Sequence, residues 1–511
     1  MLALLRSILL FVILLIQSAE SFKYLSVIPR LGVSHTKYQT KLVDALVEAG
    51  HEVVILSAQY DTTLPNWTDK ARYINVPQSP MNAEFQHFLY NTGGLVTAMW
   101  QAENTIMTKE QWEPMVLAAV EQCNDTFAVP GLIEQLKAEK FDAAFAETLD
   151  YCAFAIFHVL GIDKFAVALP FSSLESQFHL SNALTMPSYV PSLISDSFGE
   201  SMSFFERLTN TYYSFVLYDI PRRLYSEHYD AFLPTIHEGI PKISDLVSSA
   251  SLLFLNSDPL ADFPRPTSHK IIDIGGIAIS HGRKPLNKTW SDVLSIRPRN
   301  VLISFGTFAE SHQMPENFKA TIIETIKKFP DVTFIWKYEK PEHKISAGVP
   351  NLVESTFFPQ NDLLGDDRIS AFLTHAGQGS FCEANHAGVP VVVVPIVSDQ
   401  APGPLEAALR EVLDNPKYRV NAKNMAAILK DRPFAPKELF VRNMEFLAKH
   451  GPLRQRDHYG AKLNFAQYFL IDIAAFILCF ALAAISITFF SIRWILRKAL
   501  GKFCKRKTKA D

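Results

Sequence analysis

The chain has 511 residues, 48% hydrophobic and 20% charged, which is enough apolar material for two or three domain-sized cores and too much for a disordered chain. A formal net charge of -3 excludes the basic footprint by which a protein holds nucleic acid. Both ends depart from that average.

At the N-terminus, "MLALLRSILLFVILLIQSAES" sets Arg6 before an apolar run from Ile8 to Ile16, with small residues at Ala19 and Ser21. This pattern predicts a secretory signal peptide over residues 1–21. The alternative, an uncleaved anchor, asks for a longer run, since a spanning helix takes roughly 20 residues.

"FKYLSVIP" then reads as a strand. "TKYQTKLVDALVEAG" places Leu42, Ala45, Leu46 and Ala49 on one helical face and stops at Gly50, and "HEVVILS" is a strand again. "FDAAFAE", "YCAFAIFHVLG" and "KFAVALP" repeat the strand–helix–strand pattern, which predicts an open parallel sheet. From about Thr185 to Lys242 the sequence is aromatic and punctuated by proline, and no element order emerges.

Alternation resumes at Ser251. "SLLFLNS", "IIDIGGI" and "RNVLISFGTF" read as strands, followed by the helix "ENFKATIIETIKKFP", the strands "VTFIWKY" and "ISAFLTHAG", a helix through "SFCEANHAG" and the strand "VPVVVVPIV". The expected class is α/β, with two doubly wound domains facing across a cleft, residues 22–280 and 281–445, joined near Gly276 to Lys284.

Ile473 to Ile492 is a charge-free run of twenty residues, and the tail after it carries eight Lys/Arg against one Asp. This predicts one transmembrane helix within 469–492 and a basic cytosolic tail, 493–511, which can also touch anionic lipid headgroups. Lys507 and Lys509 near the C-terminus resemble a dilysine retrieval signal, so the expectation is a single-pass endoplasmic-reticulum protein with its large domain in the lumen. Three sequons, at Asn66, Asn124 and Asn287, fit that side of the membrane. Of the five cysteines, Cys479 falls in the span and Cys504 in the tail; Cys123 with Cys152 is the one bridge to entertain, and buried free thiols are the expected state.

The stretch from Thr374, "THAGQGSFCEANHAGVPVVVVPIVSDQAPGP", carries the chemistry. His375 ends a strand, Ala376 and Gly377 let the backbone approach a ligand, and Gly379 and Ser380 open a helix whose N-terminal N–H groups suit phosphate. Glu383, one turn on, can accept hydrogen bonds from a ribose diol, and Asp399-Gln400 ends the next strand, where the ligand's far end would lie. A phosphate flanked by two polyol readers describes a nucleotide sugar.

"FFPQNDLLGDDRISAFLTHAGQGSFCEANHAGVPVVVVPIVSDQ" resembles the signature of the UDP-glycosyltransferases, membrane-bound enzymes that conjugate small lipophilic molecules in detoxification. The likeness runs from Ser34-His35 through "LFLNSDPLADFPRP", "IGGI" and "ISFGT" to the C-terminal span. It implies two Rossmann-like domains of GT-B type, UDP-sugar in the second and acceptor in the first, with a return segment, 446–468, before the span. Position by position it gives Phe357 and Gln360 to the uracil and Glu383 to the ribose. Gly306, Thr307, His375, Gly377 and Ser380 go to the diphosphate region, and Asp399 and Gln400 to the sugar. Phe357 stands where the pattern has Trp, so its stack on the base should be smaller.

The resemblance makes His35 the catalytic base, kept neutral by the helix start on which it sits. The residue that orients it is an Asp in relatives; here the position is Glu147, with Asp150 in reserve. The implied reaction is metal-independent displacement with inversion from UDP-glucose or UDP-glucuronic acid, both left open, to a small lipophilic acceptor, with no other cofactor. Relatives continue after Asp-Gln with a further helix and strand, absent here, on the order of 17 residues. The alternative to an active enzyme is therefore an impaired form of the same fold, a weak binder or a partner of active relatives in a homo- or hetero-oligomer.

Overall fold

The computed structural model describes residues 20–90, 100, 109–172, 186–192, 199–214, 219–279, 284–307, 309–394, 396, 404–457 and 459–507. Residues 1–19 of the expected signal peptide (1–21), Asp399, Gln400, the join after them and residues 508–511 lie outside the described residues. Two compact units result, Met1–Arg456 and Asp457–Asp511.

The first unit holds two parallel sheets. The seven-stranded sheet comprises β1 (Lys23–Val27), β2 (Glu52–Ala58), β3 (Arg72–Val76), β4 (Ala143–Ala146), β5 (Phe165–Leu169), β6 (Leu252–Leu255) and β7 (Ile271–Asp273). Its order is β3-β2-β1-β4-β5-β6-β7. Its inner strands are short continuous apolar runs, as strands covered on both faces must be. One face packs on Val116, Phe154, Tyr229 and their neighbours, the other on Tyr38, Leu42 and Leu46 of helix α1 (Val33–Glu48).

The five-stranded sheet comprises β8 (Arg299–Ser304), β9 (Val332–Lys337), β10 (Leu352–Ser355), β11 (Ile369–Thr374) and β12 (Val391–Val393), in the order β10-β9-β8-β11-β12. Trp336, Phe334 and Leu409 fill one face, Phe372, Leu364 and Leu302 the other.

In each sheet the strand order reverses once: between β1 and β4 in the first, between β8 and β11 in the second. Crossover helices there leave on opposite faces, which opens a crevice at the carboxyl ends of the strands. After β1 the first turn of α1 carries His35, the loop after β4 carries Glu147, and the loops after β8 and β11 carry Gly306 and His375. Every element needed for a two-sided site is thus placed by topology.

Four features differ from the sequence reading. The edge strands β3 and β10 were not expected, and the strand expected through "IIDIGGI" stops at Asp273, before Gly276 takes a φ of 83°. The region without element order resolves in part into helices Phe204–Tyr212, capped by Ser203 and Glu206, and Asp219–Ile236. Cys123 and Cys152 are joined by a disulfide rather than free, because helix Lys109–Ala128 packs against helix α2 (Cys152–Leu160) and brings their Cα atoms to 5.4 Å. The stretch "DRPFAPKELFVRNMEFLAKHG", residues 431–451, which the resemblance sends back to the first domain, carries a helix over Pro436–His450 that buries Phe440, Met444 and Leu447 against Tyr24, Phe145 and Phe254.

The second unit is dominated by a helix, Ile471–Lys507; its segment Ile471–Ala499, which contains an 18-residue stretch of mean hydropathy 2.6, is long and apolar enough to cross a membrane. Its large side chains, Phe476, Phe480 and Ile487 among them, are exposed, as lipid-facing residues are.

Candidate active site

The first half of the site is built on β1 and β4. Gly32, with a φ of 79°, turns the chain from β1 into α1, and His35 sits in the first turn. Its Nδ1 meets Glu147 Oε2 at 2.9 Å. The Glu147 side chain is 1% exposed and that of His35 24%, so a fully buried carboxylate holds a ring that still reaches the cleft. An Nδ1–H donated to Glu147 leaves Nε2 as the basic nitrogen.

Burial is the largest influence on His35 and lowers its proton affinity, but the charge of Glu147 and its hydrogen bond together outweigh it, so the pKa lies above the ordinary histidine value. The adjacent carboxylate thus opposes the neutral form that the helix start favours.

Asp150 is not brought to His35. Its Oδ2 accepts from Tyr60 Oη at 2.7 Å, and its Oδ1 accepts from Tyr229 Oη at 2.6 Å and from the Cys152 N–H at 2.9 Å. It is a buried, saturated carboxylate that fastens the start of α2.

The second half is built on β8 and β11. The His375 ring is boxed by two glycines: a Cβ on Gly306 would lie 2.9 Å from its Cε1, and one on Gly377 would lie 2.4 Å from its Nε2. Gly306 also has a φ of 85°. Between them Ala376 adopts a φ of 58°, a left-handed conformation that a residue with a Cβ rarely takes. Burial lowers the His375 pKa to about 4, so the ring is neutral near pH 7, and its buried Nδ1 has no hydrogen-bond partner among the described residues. Helix α3 (Gln378–Ala387) starts directly after, with Gly377 as its N-cap and no side chain closing its first N–H groups.

Three further residues meet one another. Gln360 Nε2 donates to Glu383 Oε2 at 2.7 Å and lies 3.1 Å from Ser380 Oγ. Burial raises the Glu383 pKa against the opposing influence of Gln360 and Lys37. Phe357, three residues before Gln360, is 69% exposed, which leaves an aromatic ring open to solvent. Thr307 is exposed at the mouth of the same crevice. Asp399 and Gln400 lie outside the described residues.

Two residues escaped the sequence reading. Lys337, at the carboxyl end of β9, donates through Nζ to the Gly306 carbonyl at 2.6 Å and so fixes the glycine loop. A cation ending a strand beside the crevice was the available signal. Trp100, buried against Phe305 with ring centroids 5.3 Å apart, donates through Nε1 to the Glu310 carbonyl at 3.0 Å and flanks the same loop. Nothing local in the sequence marks it.

A neutral imidazole, open helix N–H groups and a lysine-braced glycine loop suit a diphosphate; Gln360, Glu383 and an exposed ring suit a nucleoside. The family profile for UDP-glucoronosyl and UDP-glucosyl transferases matches residues 24–404 and 401–506. This chain belongs to that family and is a glycosyltransferase with a UDP-sugar donor. Ugt-56 of Caenorhabditis elegans, named as a candidate UDP-glucuronosyltransferase, is 31% identical over 426 residues, which cover 80% of this chain and 78% of that one. Human UDP-glucuronosyltransferase 1A9 is 27% identical over 513 residues, 95% of this chain and 93% of that one. The fold is GT-B: the crystal structure of Medicago truncatula UGT71G1 complexed with UDP-glucose superposes with a TM-score of 0.58 at 12% identity, covering 84% of this chain and 99% of the other.

Proposed function

We propose that this chain transfers a hexose or hexuronic acid from UDP-glucose or UDP-glucuronic acid to a hydroxyl of a small lipophilic acceptor, with inversion at the anomeric carbon. The observation that carries the reading is the His35–Glu147 contact of 2.9 Å at the first sheet's crevice. His35 Nε2 takes the hydroxyl proton as the oxygen attacks, and Glu147 stabilises the imidazolium that forms. The bond to UDP breaks on the opposite face. The charge that develops on the diphosphate meets the His375 N–H, the start of α3 and, with Lys337 bracing the loop, the Gly306 backbone. Phe357 stacks on the uracil, Gln360 reads its edge, and Glu383 accepts from the ribose. Thr307, Gly377 and Ser380 line the phosphates, and Asp399 with Gln400 holds the sugar.

The first sheet, within residues 22–280, takes the acceptor, and the second, within 281–445, the donor. The body lies in the lumen of the endoplasmic reticulum, held by one crossing helix. Supporting this are the leader-like N-terminus, the basic tail, exposed asparagines at all three sequons and the Cys123–Cys152 disulfide, a bond that persists in oxidising compartments.

The test is product stereochemistry. Membranes containing the chain, supplied with an α-linked UDP-sugar and a phenol, are expected to yield the β-glycoside by NMR. An α-glycoside would remove the single-displacement mechanism.

A further inference from the structure

Residues 147–151 connect β4 to α2, and the first of them is Glu147. Its Oε2 meets His35, but its Oε1 is buried and has no hydrogen-bond partner among the described residues. The side chain of Glu147 is therefore fixed by no hydrogen bond except the one to the ring it orients. Its aim must come from the backbone that carries it.

That backbone is gripped from the aromatic segment in which the sequence shows no element order. Tyr225 and Tyr229 lie one turn apart on the helix Asp219–Ile236 and so share a face, with their rings stacked at 6.1 Å between centroids. Tyr225 Oη donates to the Leu149 carbonyl at 2.9 Å and Tyr229 Oη to Asp150 Oδ1 at 2.6 Å. Tyr60, beyond β2, donates to Asp150 Oδ2 at 2.7 Å. Tyr151 packs against Tyr225 with centroids 4.6 Å apart, and the Cys123–Cys152 disulfide fastens the residue that follows. The three donating tyrosines are at most 5% exposed. Buried hydroxyls and the buried carboxylate they serve lose free energy if they part, so the loop is held in one place.

We propose that Tyr225 and Tyr229 are positioning residues for the transfer: through Leu149 and Asp150 they hold the loop so that Glu147 meets His35. A loop that relaxed by about 1 Å would lose the contact between them, and misplacements of that size cost on the order of 10²-fold in rate. This rests on the reading above in which Glu147 supports His35 as the base.

The experiment combines Tyr225→Phe with Tyr229→Phe, which keeps both rings and their packing and removes only the two hydroxyls. The full chain in detergent, with a phenolic acceptor, is assayed for kcat, for the KM of the UDP-sugar and for thermal unfolding, with Glu147 present and in a Glu147→Ala background. With Glu147 present, kcat is expected to fall about tenfold or more while the donor KM changes by less than about twofold. In the Glu147→Ala background no carboxylate is left to aim, so the same pair should change kcat by less than about twofold, while thermal stability falls equally in both backgrounds. An equal fold-loss of kcat in both backgrounds, or no loss with Glu147 present, would overturn the assignment of the tyrosines while leaving Glu147 in its role. Where Glu147→Ala turns over too slowly to compare, the acidic limb of the pH profile decides. It should move to lower pH in the double tyrosine variant as the raising influence of Glu147 on His35 weakens, and a limb that stays in place overturns the assignment. Native turnover in Glu147→Ala alone would overturn Glu147 as the partner of the base, and this proposal with it.

Discussion

Glu147 and His35 are joined at 2.9 Å although 112 residues separate them, the carboxylate buried after β4 and the ring in the first turn of α1 after β1. A parallel sheet whose order reverses between those two strands is what makes them neighbours. The consequence is electrostatic as well as geometric: the folded enzyme holds a proton on His35 more tightly than free imidazole does.

Glu147→Gln is expected to lower kcat/KM on the order of 10²-fold or more, since the oriented tautomer and the stabilised imidazolium are both lost. The pH profile gives the sign. A base whose pKa is raised loses activity on acidification at a pH above the ordinary histidine value of about 6.5. In the Gln variant both raising influences of Glu147 disappear and the lowering effect of burial remains, so the acidic limb should move to lower pH. A limb that stays in place would separate Glu147 from the base.

Gly377→Ala and Gly379→Ala should behave differently although they lie two residues apart. A Cβ at 377 would come within 2.4 Å of the His375 ring, which Gly306 already confines on its other side, whereas a Cβ at 379 meets nothing within 4 Å. Titration with UDP is expected to show at least tenfold weaker binding for the first and a change of less than about twofold for the second. Equal effects would mean that the box around His375 does not matter to binding.

Phe357→Trp is expected to tighten uridine and UDP alike by a few-fold, because a larger ring offers more stacking area, and Phe357→Ala to weaken both by roughly tenfold, base–aromatic stacking being worth about 1–3 kcal/mol. Competition against donor turnover measures it. No change in either variant would show that the exposed ring is not the base platform.

Phe440→Ala should cost about 3–5 kcal/mol of stability. The ring is fully buried, with Phe254 at 4.9 Å and Phe145 at 5.8 Å between centroids, so its removal opens a cavity beneath the first sheet. Denaturant unfolding of the full chain would report it, and a loss below 1 kcal/mol would mean that the returning helix is not part of that core.

The inner strands and their crossovers were legible because Val54, Phe145, Val167 and Leu253 belong to unbroken apolar runs, which strands covered on both faces require. β3 and β10 were not, since each lies at a sheet edge and all but one of its residues remain at least partly exposed, which dilutes the run. Among the site residues, His375, Gly377, Ser380 and Glu383 lie in one stretch of chain and were readable from spacing. Glu147 came from resemblance, and its separation from Asp150 followed only when Tyr60 and Tyr229 were seen to occupy the latter. The Cys123–Cys152 bond depends on how two helices pack, and Lys337 on which strand lies beside β8; neither is written locally in the chain.

The central claim is that His35 removes the acceptor proton while the donor is held by the other half. It is tested most directly by His35→Ala, assayed for UDP-sugar turnover with a phenolic acceptor and titrated with UDP in parallel. The account predicts a loss of turnover of at least about 10²-fold with UDP affinity unchanged within about threefold, because the base touches no phosphate. Turnover retained in His35→Ala would contradict it.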